Sequence, residues 1–282
     1  MKRKTAFVTG ASRGIGAESA VALARIGFDV VITARTGVEG EAHDRLGQLI
    51  TLPGSLEATA AAIRREGRRV LALTADILDE PMMLAAASDA LTEFGAVDLL
   101  FNNAVYQGDG NLCSVLDVKR SQVEAIMQAN LYTPLALVKA LLPKMLEQGR
   151  GTIINMVSFT AFNNPPARGD QGGWSFAYPA SKAALARMAG SLRVEHPDAG
   201  LRCYNLEPGM VFTQVMRAAG MTEELMARYK PISGAAIAGV VAWLAENDAP
   251  EAWWSEDALR GPAIAKYLRL LNATSLLEKP NE

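Results

Sequence analysis

Residues 8–20 read VTGASRGIGAESA, a glycine-punctuated turn between a short apolar run and the opening of a helical pattern. Gly10, Gly14 and Gly16 stand where the backbone must turn sharply and lie close to a ligand. With a strand before it and a helix after it, such a turn aims the unpaired N–H groups of the helix start, and the positive end of the helix dipole, at a pyrophosphate. A dinucleotide is the natural occupant. The spacing is Gly-x-x-x-Gly-x-Gly instead of the commoner Gly-x-Gly-x-x-Gly. The plainer alternative, a turn that only packs a helix on a sheet, is disfavoured by the flanking pattern.

Outward from this turn, short β-branched runs alternate with longer helical stretches. TAFVTG, DVVITA, VLALTAD, VDLLFNNA, TIINMVS and RCYNLEPG are brief apolar runs ending in polar or glycine punctuation, and predict six buried strands. ESAVALARIG, EATAAAIRREG and MMLAAASDALTEFG repeat their apolar residues at helical spacing and end in glycine. Strand and crossover in alternation predict a Rossmann-type, doubly wound parallel sheet in three αβα layers. The expectation is one domain over 1–282, interrupted near 36–55 and 159–177 and divergent near 248–282. Connections after a strand usually take a few residues, so both insertions are functional or flexible, and 159–177 is placed to shape a pocket mouth. AWWSEDALRGPAIAKYLRLL, late in the chain, predicts an amphipathic helix, with Trp253 and Trp254 as ordinary packing or as pocket or interface residues.

Composition limits the partners. The 282 residues are 50% hydrophobic, enough to bury a sizeable core, and carry a formal net charge of -2. No broad positive field supports a nucleic-acid or anionic-membrane partner, so a small molecule is expected. Cys113 and Cys203 belong to no Cys-x-x-Cys pair, and read as buried thiols. The start MKRKTAFVTG lacks the apolar core of an export signal, and no segment reads as long and apolar enough to span a bilayer; with the cysteine usage this favours the cytoplasm. His43 and His196 lack partners at a ligand spacing and are expected at the surface; no metal is implied.

The end of the second strand decides which nicotinamide dinucleotide fits. It reads ITART, so Ala34 and Arg35 offer no carboxylate to an adenosine ribose. Arg35, with Arg13 inside the glycine turn, would instead flank a 2'-phosphate with charge-assisted hydrogen bonds. NADP(H) is favoured and NAD(H) remains possible; solvated surface arginines are the bland alternative.

YPASK, residues 178–182, sets Tyr178 one helical turn before Lys182. In isolation such a pair is ordinarily two surface neighbours. Here the ordered set of motifs resembles the classical short-chain dehydrogenases/reductases over roughly residues 4–215. TGASRGIG resembles their cofactor turn, Asp76 in TADI their adenine-side aspartate, NNA at 102–104 the motif ending their fourth strand, and Asn130 in MQANLYTP their helix asparagine. Ser158 in INMVS, Tyr178 and Lys182 match their catalytic set, and PGMVFT at 208–213 their segment over the nicotinamide. The resemblance implies a cofactor held by Gly10, Ser12, Arg13, Gly14, Ile15, Gly16, Arg35, Asp76, Ile77, Asn103, Ala104, Tyr178, Lys182, Pro208, Gly209, Val211 and Thr213. It also implies a homodimer or homotetramer, and Asn130 as anchor of a water relaying protons to the lysine.

The chemistry follows from the side chains. A carbonyl reduced by hydride needs a proton donor on its oxygen, and alcohol oxidation needs the same group as base. A free phenol, with a pKa of about 10, is too weak a base at neutral pH. A cationic Lys182 on the same helix face would favour its ionised form, and Ser158 would donate to the substrate oxygen. Singly, each has a bland reading: Ser158 as a local cap, Asn130 as a buried amide satisfying backbone groups, Asp76 as a turn residue.

Several departures stand out. Val105 follows NNA where the family commonly has glycine, and the interval from Ser158 to Tyr178 is lengthened by the insertion, leaving Ser175 as a weaker candidate. The long loop around LPGSLEATAAAI resembles a subgroup that includes hydroxysteroid dehydrogenase-like proteins, which by itself names no substrate. Phe159, Phe162, Trp174, Phe176, Phe212 and Met216, with 105–113, predict an apolar, roomy substrate side. The helix around LALVKALLPKML reads as core or as a face packing on a second copy. A non-catalytic dinucleotide sensor and an interaction protein built on the long loops are the rival classes.

Overall fold

The computed structural model describes residues 3–45, 48–171, 173–218, 221–224, 228–255 and 258–277, with the side chains of 44, 45, 48, 170, 254 and 255 left aside. The strands, in chain order, are β1 (Thr5–Thr9), β2 (Asp29–Ala34), β3 (Ala42–Arg45), β4 (Gln48–Thr51), β5 (Val70–Thr74), β6 (Leu99–Asn102), β7 (Gly151–Met156), β8 (Leu201–Glu207), β9 (Trp254–Ser255) and β10 (Ala258–Arg260). All but β3 and β4 join one eight-stranded sheet in the order β5-β2-β1-β6-β7-β8-β10-β9, parallel except for β9 at the edge. All six strands expected from the apolar runs are present.

Alternation along the strands builds two cores. Val8, Val30, Ile32, Leu99, Phe101 and Ile154 face one layer of helices, α1 (Gly14–Arg25), α2 (Leu56–Arg65) and α8 (Gly234–Glu246). Phe7, Val31, Leu100 and Ile153 face the other, α3 (Glu80–Phe94), α5 (Thr133–Glu147) and α6 (Ala177–Glu195). Helices α4 (Arg120–Met127) and α7 (Gln214–Ala218) lie nearer the site, and α9 (Gly261–Tyr267) follows β10. A sheet buried on both faces needs the near-continuous apolar strands that the sequence supplies. Gly27, Gly67 and Gly95 end their helices at φ +107, +71 and +76, as the terminal glycines predict.

Three expectations are corrected. The carboxyl-terminal run forms the β9–β10 pair and only then the short α9, because Leu259 and Arg260 extend the sheet in register with Leu206 and Glu207 and the buried Ala258 and Leu259 find their core there. The continuous helical stretch Arg120–Glu147 does meet the length and apolarity of a membrane span; part of its apolar surface, Leu137, Val138, Leu141 and Met145, is spent on the sheet. His43, expected at the surface, is part-buried: 29% of its side chain is exposed, but its Nε2 is buried without a hydrogen-bond partner among the described residues, 3.9 Å from the Glu41 carboxylate.

The insertion at 36–55 contains the β3–β4 hairpin and is pinched at its base, where Leu56 N–H donates to Thr36 and Glu57 N–H to Gly37, both at 3.0 Å. The 159–177 insertion is two 3-10 turns laid on the β6–α4 loop. The Ser175 hydroxyl is spent there on the Gly110 and Asn111 carbonyls, at 3.1 and 2.6 Å.

Candidate active site

In the sheet order β2 lies on one side of β1 and β6 on the other, so the chain leaves the ends of β1 and β6 in opposite directions and opens a crevice there. The glycine turn and the NNA segment form its floor. Gly10 adopts φ +68, and a Cβ on it would stand 2.8 Å from the Ala104 Cα; one on Gly16 would stand 2.3 Å from the Gly10 carbonyl. Glycine is therefore required sterically at both positions. Asn103 braces the turn, its Nδ2 donating to the Thr9 carbonyl at 2.8 Å. The Thr9 hydroxyl accepts from the N–H groups of Asn103 and Ala104 at 3.0 and 2.9 Å. Sequence reasoning passed over Thr9, whose only signal is its place at the strand end before the first glycine.

The start of α1 has no side-chain cap, so its first N–H groups face the crevice mouth without an acceptor from Arg13 at the capping position. Across the crevice the Gln214 side chain comes within 4.0 Å of where a Gly14 Cβ would be. These features fit a pyrophosphate: the backbone is bare and the helix end open. Asp76 is part-exposed; one carboxylate oxygen accepts from Leu78 N–H at 2.9 Å and the other lies 3.9 Å from Arg35. Arg13 does not stand open beside Arg35. Its guanidinium donates to the Pro53, Leu52 and Gly54 carbonyls and to the Thr36 hydroxyl, at 2.9, 3.2, 2.8 and 3.0 Å.

The chemical end is built on α6 and the end of β7. Helix α6 sets Tyr178 and Lys182 one turn apart, and the Lys182 ammonium nitrogen lies 6.0 Å from the Tyr178 ring centroid. Lys182 is fully buried, and its ammonium donates to the Met156 carbonyl at 2.7 Å. Burial lowers its pKa to about 7. Tyr178 has Gln107 and Ser158 as hydrogen-bonding neighbours; burial raises its pKa, those two bonds oppose the rise, and the charge of Glu207 adds to it. Desolvation thus outweighs the two hydrogen bonds on the phenol. Ser158 lies two residues beyond the end of β7 and caps the 3-10 turn that follows, its hydroxyl accepting from the Thr160 N–H at 3.3 Å and the Thr160 hydroxyl at 3.0 Å. Gln107 and Glu207 were missed. The first sits in a loop with no pattern, the second at a strand position that reads as ordinary alternation.

Asn130 occupies a single π-helical turn, Gln128–Tyr132, and is wholly buried. Its amide accepts from Tyr106 N–H at 2.9 Å and donates to the Tyr106 carbonyl and the Ser181 hydroxyl, both at 3.1 Å. It thereby ties the β6–α4 loop to the helix bearing Tyr178. Beneath the site Asn102, Asn155 and Asn205 form a buried amide ladder across β6, β7 and β8, anchored on α6 through the Ala186 carbonyl at 2.8 Å. Pro208, Gly209, Val211 and Thr213 leave β8 beside it. Gly209, at φ +68, donates its N–H to Glu207 at 2.7 Å. Val105 is 45% exposed. Phe159 meets Trp174 edge-on at 6.3 Å, Phe176 is half exposed, and Arg217 covers Phe212 at 4.1 Å. Trp253 packs between Trp243 and Tyr267, away from this mouth in a separate aromatic cluster; the side chain of Trp254 lies outside the described residues.

A doubly wound sheet with a bare glycine turn at its switch point, and a phenol, hydroxyl and ammonium alongside, defines the class of dinucleotide-dependent oxidoreductases. The profile of the short chain dehydrogenase family matches residues 4–224, and the chain belongs to that family. It is 30% identical over 254 residues, 87% of this chain and 92% of the relative, to 2-(R)-hydroxypropyl-CoM dehydrogenase of Xanthobacter autotrophicus. It is 31% identical over 226 residues, 78% of this chain and 76% of the relative, to an uncharacterised NAD-dependent oxidoreductase of Mycobacterium tuberculosis. Among solved structures, a metagenomic short-chain oxidoreductase in complex with NADP is similar at 30% identity and TM-score 0.66, over 91% of this chain and 96% of that one. A carveol dehydrogenase from Mycobacterium avium in complex with NAD shares the fold at 22% identity and TM-score 0.70, over 91% of this chain and 95% of that one. The chain is accordingly an NAD(P)-dependent dehydrogenase or reductase.

Proposed function

We propose that the protein is an NADP(H)-preferring reductase or dehydrogenase acting on the carbonyl or secondary alcohol of a small, mostly apolar substrate. The observation that bears most weight is the meeting of Tyr178 with Ser158 at the crevice, one turn from a buried Lys182. The nicotinamide, when bound, supplies or accepts the hydride. Tyr178 gives its proton to the substrate oxygen in reduction and takes it back in oxidation. Ser158 donates to the same oxygen, where negative charge gathers. Lys182 brings positive charge to the phenol and to the ribose side of the crevice; Asn130 fixes the helix that bears both.

The preference for NADP(H) rests on Arg35 and on the lack of a carboxylate at the end of β2, while Asp76 lies beyond it on the adenine side. An apolar substrate is supported by the exposed rings of Phe159 and Phe176 around the mouth. The free thiols Cys113 and Cys203, the latter buried and pushed up to about 12, support a reducing, cytoplasmic setting. Exposed Tyr132 and Leu135 on the long helix support a homodimer or homotetramer. Fluorescence titration with NADPH and NADH, followed by turnover against a panel of ketones, aldehydes and alcohols, tests this reading. Tighter NADPH binding with turnover of apolar carbonyls is expected. Equal affinity removes the cofactor preference, absent binding removes the enzyme, and a preference for small charged acids removes the apolar site.

A further inference from the structure

Both limbs of the 36–55 insertion are tied down at the adenosine end of the crevice. The return limb, Leu52–Gly54, offers three successive carbonyls to Arg13, and Thr36 on the outgoing limb offers its hydroxyl. The approach is close: a Cβ on Gly54 would stand 2.6 Å from the Ser12 carbonyl and 3.0 Å from the Arg13 Cβ. Acidic side chains of the loop close it on itself, Glu41 accepting from Gly37 N–H at 2.7 Å and Glu39 from Gly54 N–H at 3.0 Å. Thr36, Leu52 and Ser55 are buried in this arrangement. A planar guanidinium meets several acceptors with a rigid fork, which an ammonium cannot copy. Turning Arg13 toward a phosphate would give up all four of these bonds, three of them part-buried. Arg35, by contrast, is 41% exposed and among the described residues pairs with Asp76 alone, at 3.9 Å.

We propose that Arg13 is a positioning residue that clamps the 36–55 insertion onto the glycine turn, so that it supports NADPH and NADH alike and leaves discrimination of the 2'-phosphate to Arg35. The inference rests on the dinucleotide-binding reading above. It parts from the simpler view that both arginines hold the phosphate, and the two differ in what lysine can rescue. A lysine is a good point-charge ligand for phosphate but a poor clamp for four neutral acceptors.

The test combines NADPH and NADH titrations of wild type, Arg13→Lys, Arg13→Gln and Arg35→Gln with amide hydrogen exchange over 36–55 in the cofactor-free protein. Arg13→Lys and Arg13→Gln are expected to behave alike, weakening both dinucleotides by the same factor to within about twofold and raising exchange over 36–55. Arg35→Gln is expected to weaken NADPH by roughly tenfold with exchange over 36–55 unchanged. Arg13→Lys that keeps wild-type affinity, or Arg13→Gln that costs NADPH roughly tenfold more than NADH with exchange unchanged, overturns the clamp. If Arg13→Gln fails to fold, Arg13→Lys and the exchange measurement decide alone. Should wild type bind neither dinucleotide, the enzymatic reading fails, while the exchange comparison still decides whether Arg13 holds the loop.

Discussion

At the scale of single residues the proposed acid–base step rests on a buried lysine beside a part-buried phenol. Tyr178 and Lys182 were legible because a helix puts residues four apart on one face; their electrostatics were not, because burial is a tertiary property. The pKa of Lys182 is held at about 7 in the folded protein, against about 10.4 in an unfolded chain. Between those values the unfolded chain binds more protons, so burying this ammonium costs stability fully below about pH 7 and progressively less as pH rises toward about 10. Lys182→Met should therefore be inactive yet more stable than wild type at about pH 6, with the gap closing toward about pH 10. Urea unfolding across that range measures it, and a gap that widens with pH contradicts it. Glu207 acts in the opposite sense on Tyr178, since its charge disfavours the phenolate. Glu207→Gln should shift the rising limb of the alcohol-oxidation rate profile to lower pH; an unmoved or raised limb would show that the carboxylate does not reach the phenol.

At the scale of elements the strands were readable because a parallel sheet covered on both faces takes unbroken apolar runs, and the helices because glycine ends them. The carboxyl-terminal hairpin was not. Its partner β8 lies some fifty residues away in sequence, and nothing local in the mixture of tryptophan, charge and alanine announces a three-residue strand. The asparagine ladder was equally silent, since three amides become neighbours only once β6, β7 and β8 are in register. Asn155 sits at its centre. Asn155→Leu removes the acceptor of the buried Asn102 Nδ2 and should lower unfolding stability by ~1–3 kcal/mol. Chemical denaturation reads the change; a neutral result would mean that water or rearrangement satisfies that amide.

At the scale of the whole molecule, the sheet order makes the crevice and the segment 270–277 braces the helix that opens at it. Glu18, on the helix that opens at the glycine turn, is buried and accepts from the Leu276 N–H at 2.7 Å and from the Ser275 hydroxyl. Leu270, Ala273, Leu276 and Leu277 pack on the same core as α1 and α8. Glu18→Ala should free this strap, lowering stability by ~1–3 kcal/mol and exposing the chain beyond about residue 268 to protease. An unchanged digestion pattern would separate the strap from Glu18. The motif order let the crevice be foreseen, whereas the insertions could be located but not shaped, since their contacts are with residues far along the chain. The most direct test of the enzyme as a whole is steady-state turnover of Tyr178→Phe on a carbonyl that wild type reduces. A loss of roughly 10²–10⁴ in kcat with NADPH affinity retained is expected; a variant that turns over at the wild-type rate contradicts acid–base catalysis by Tyr178.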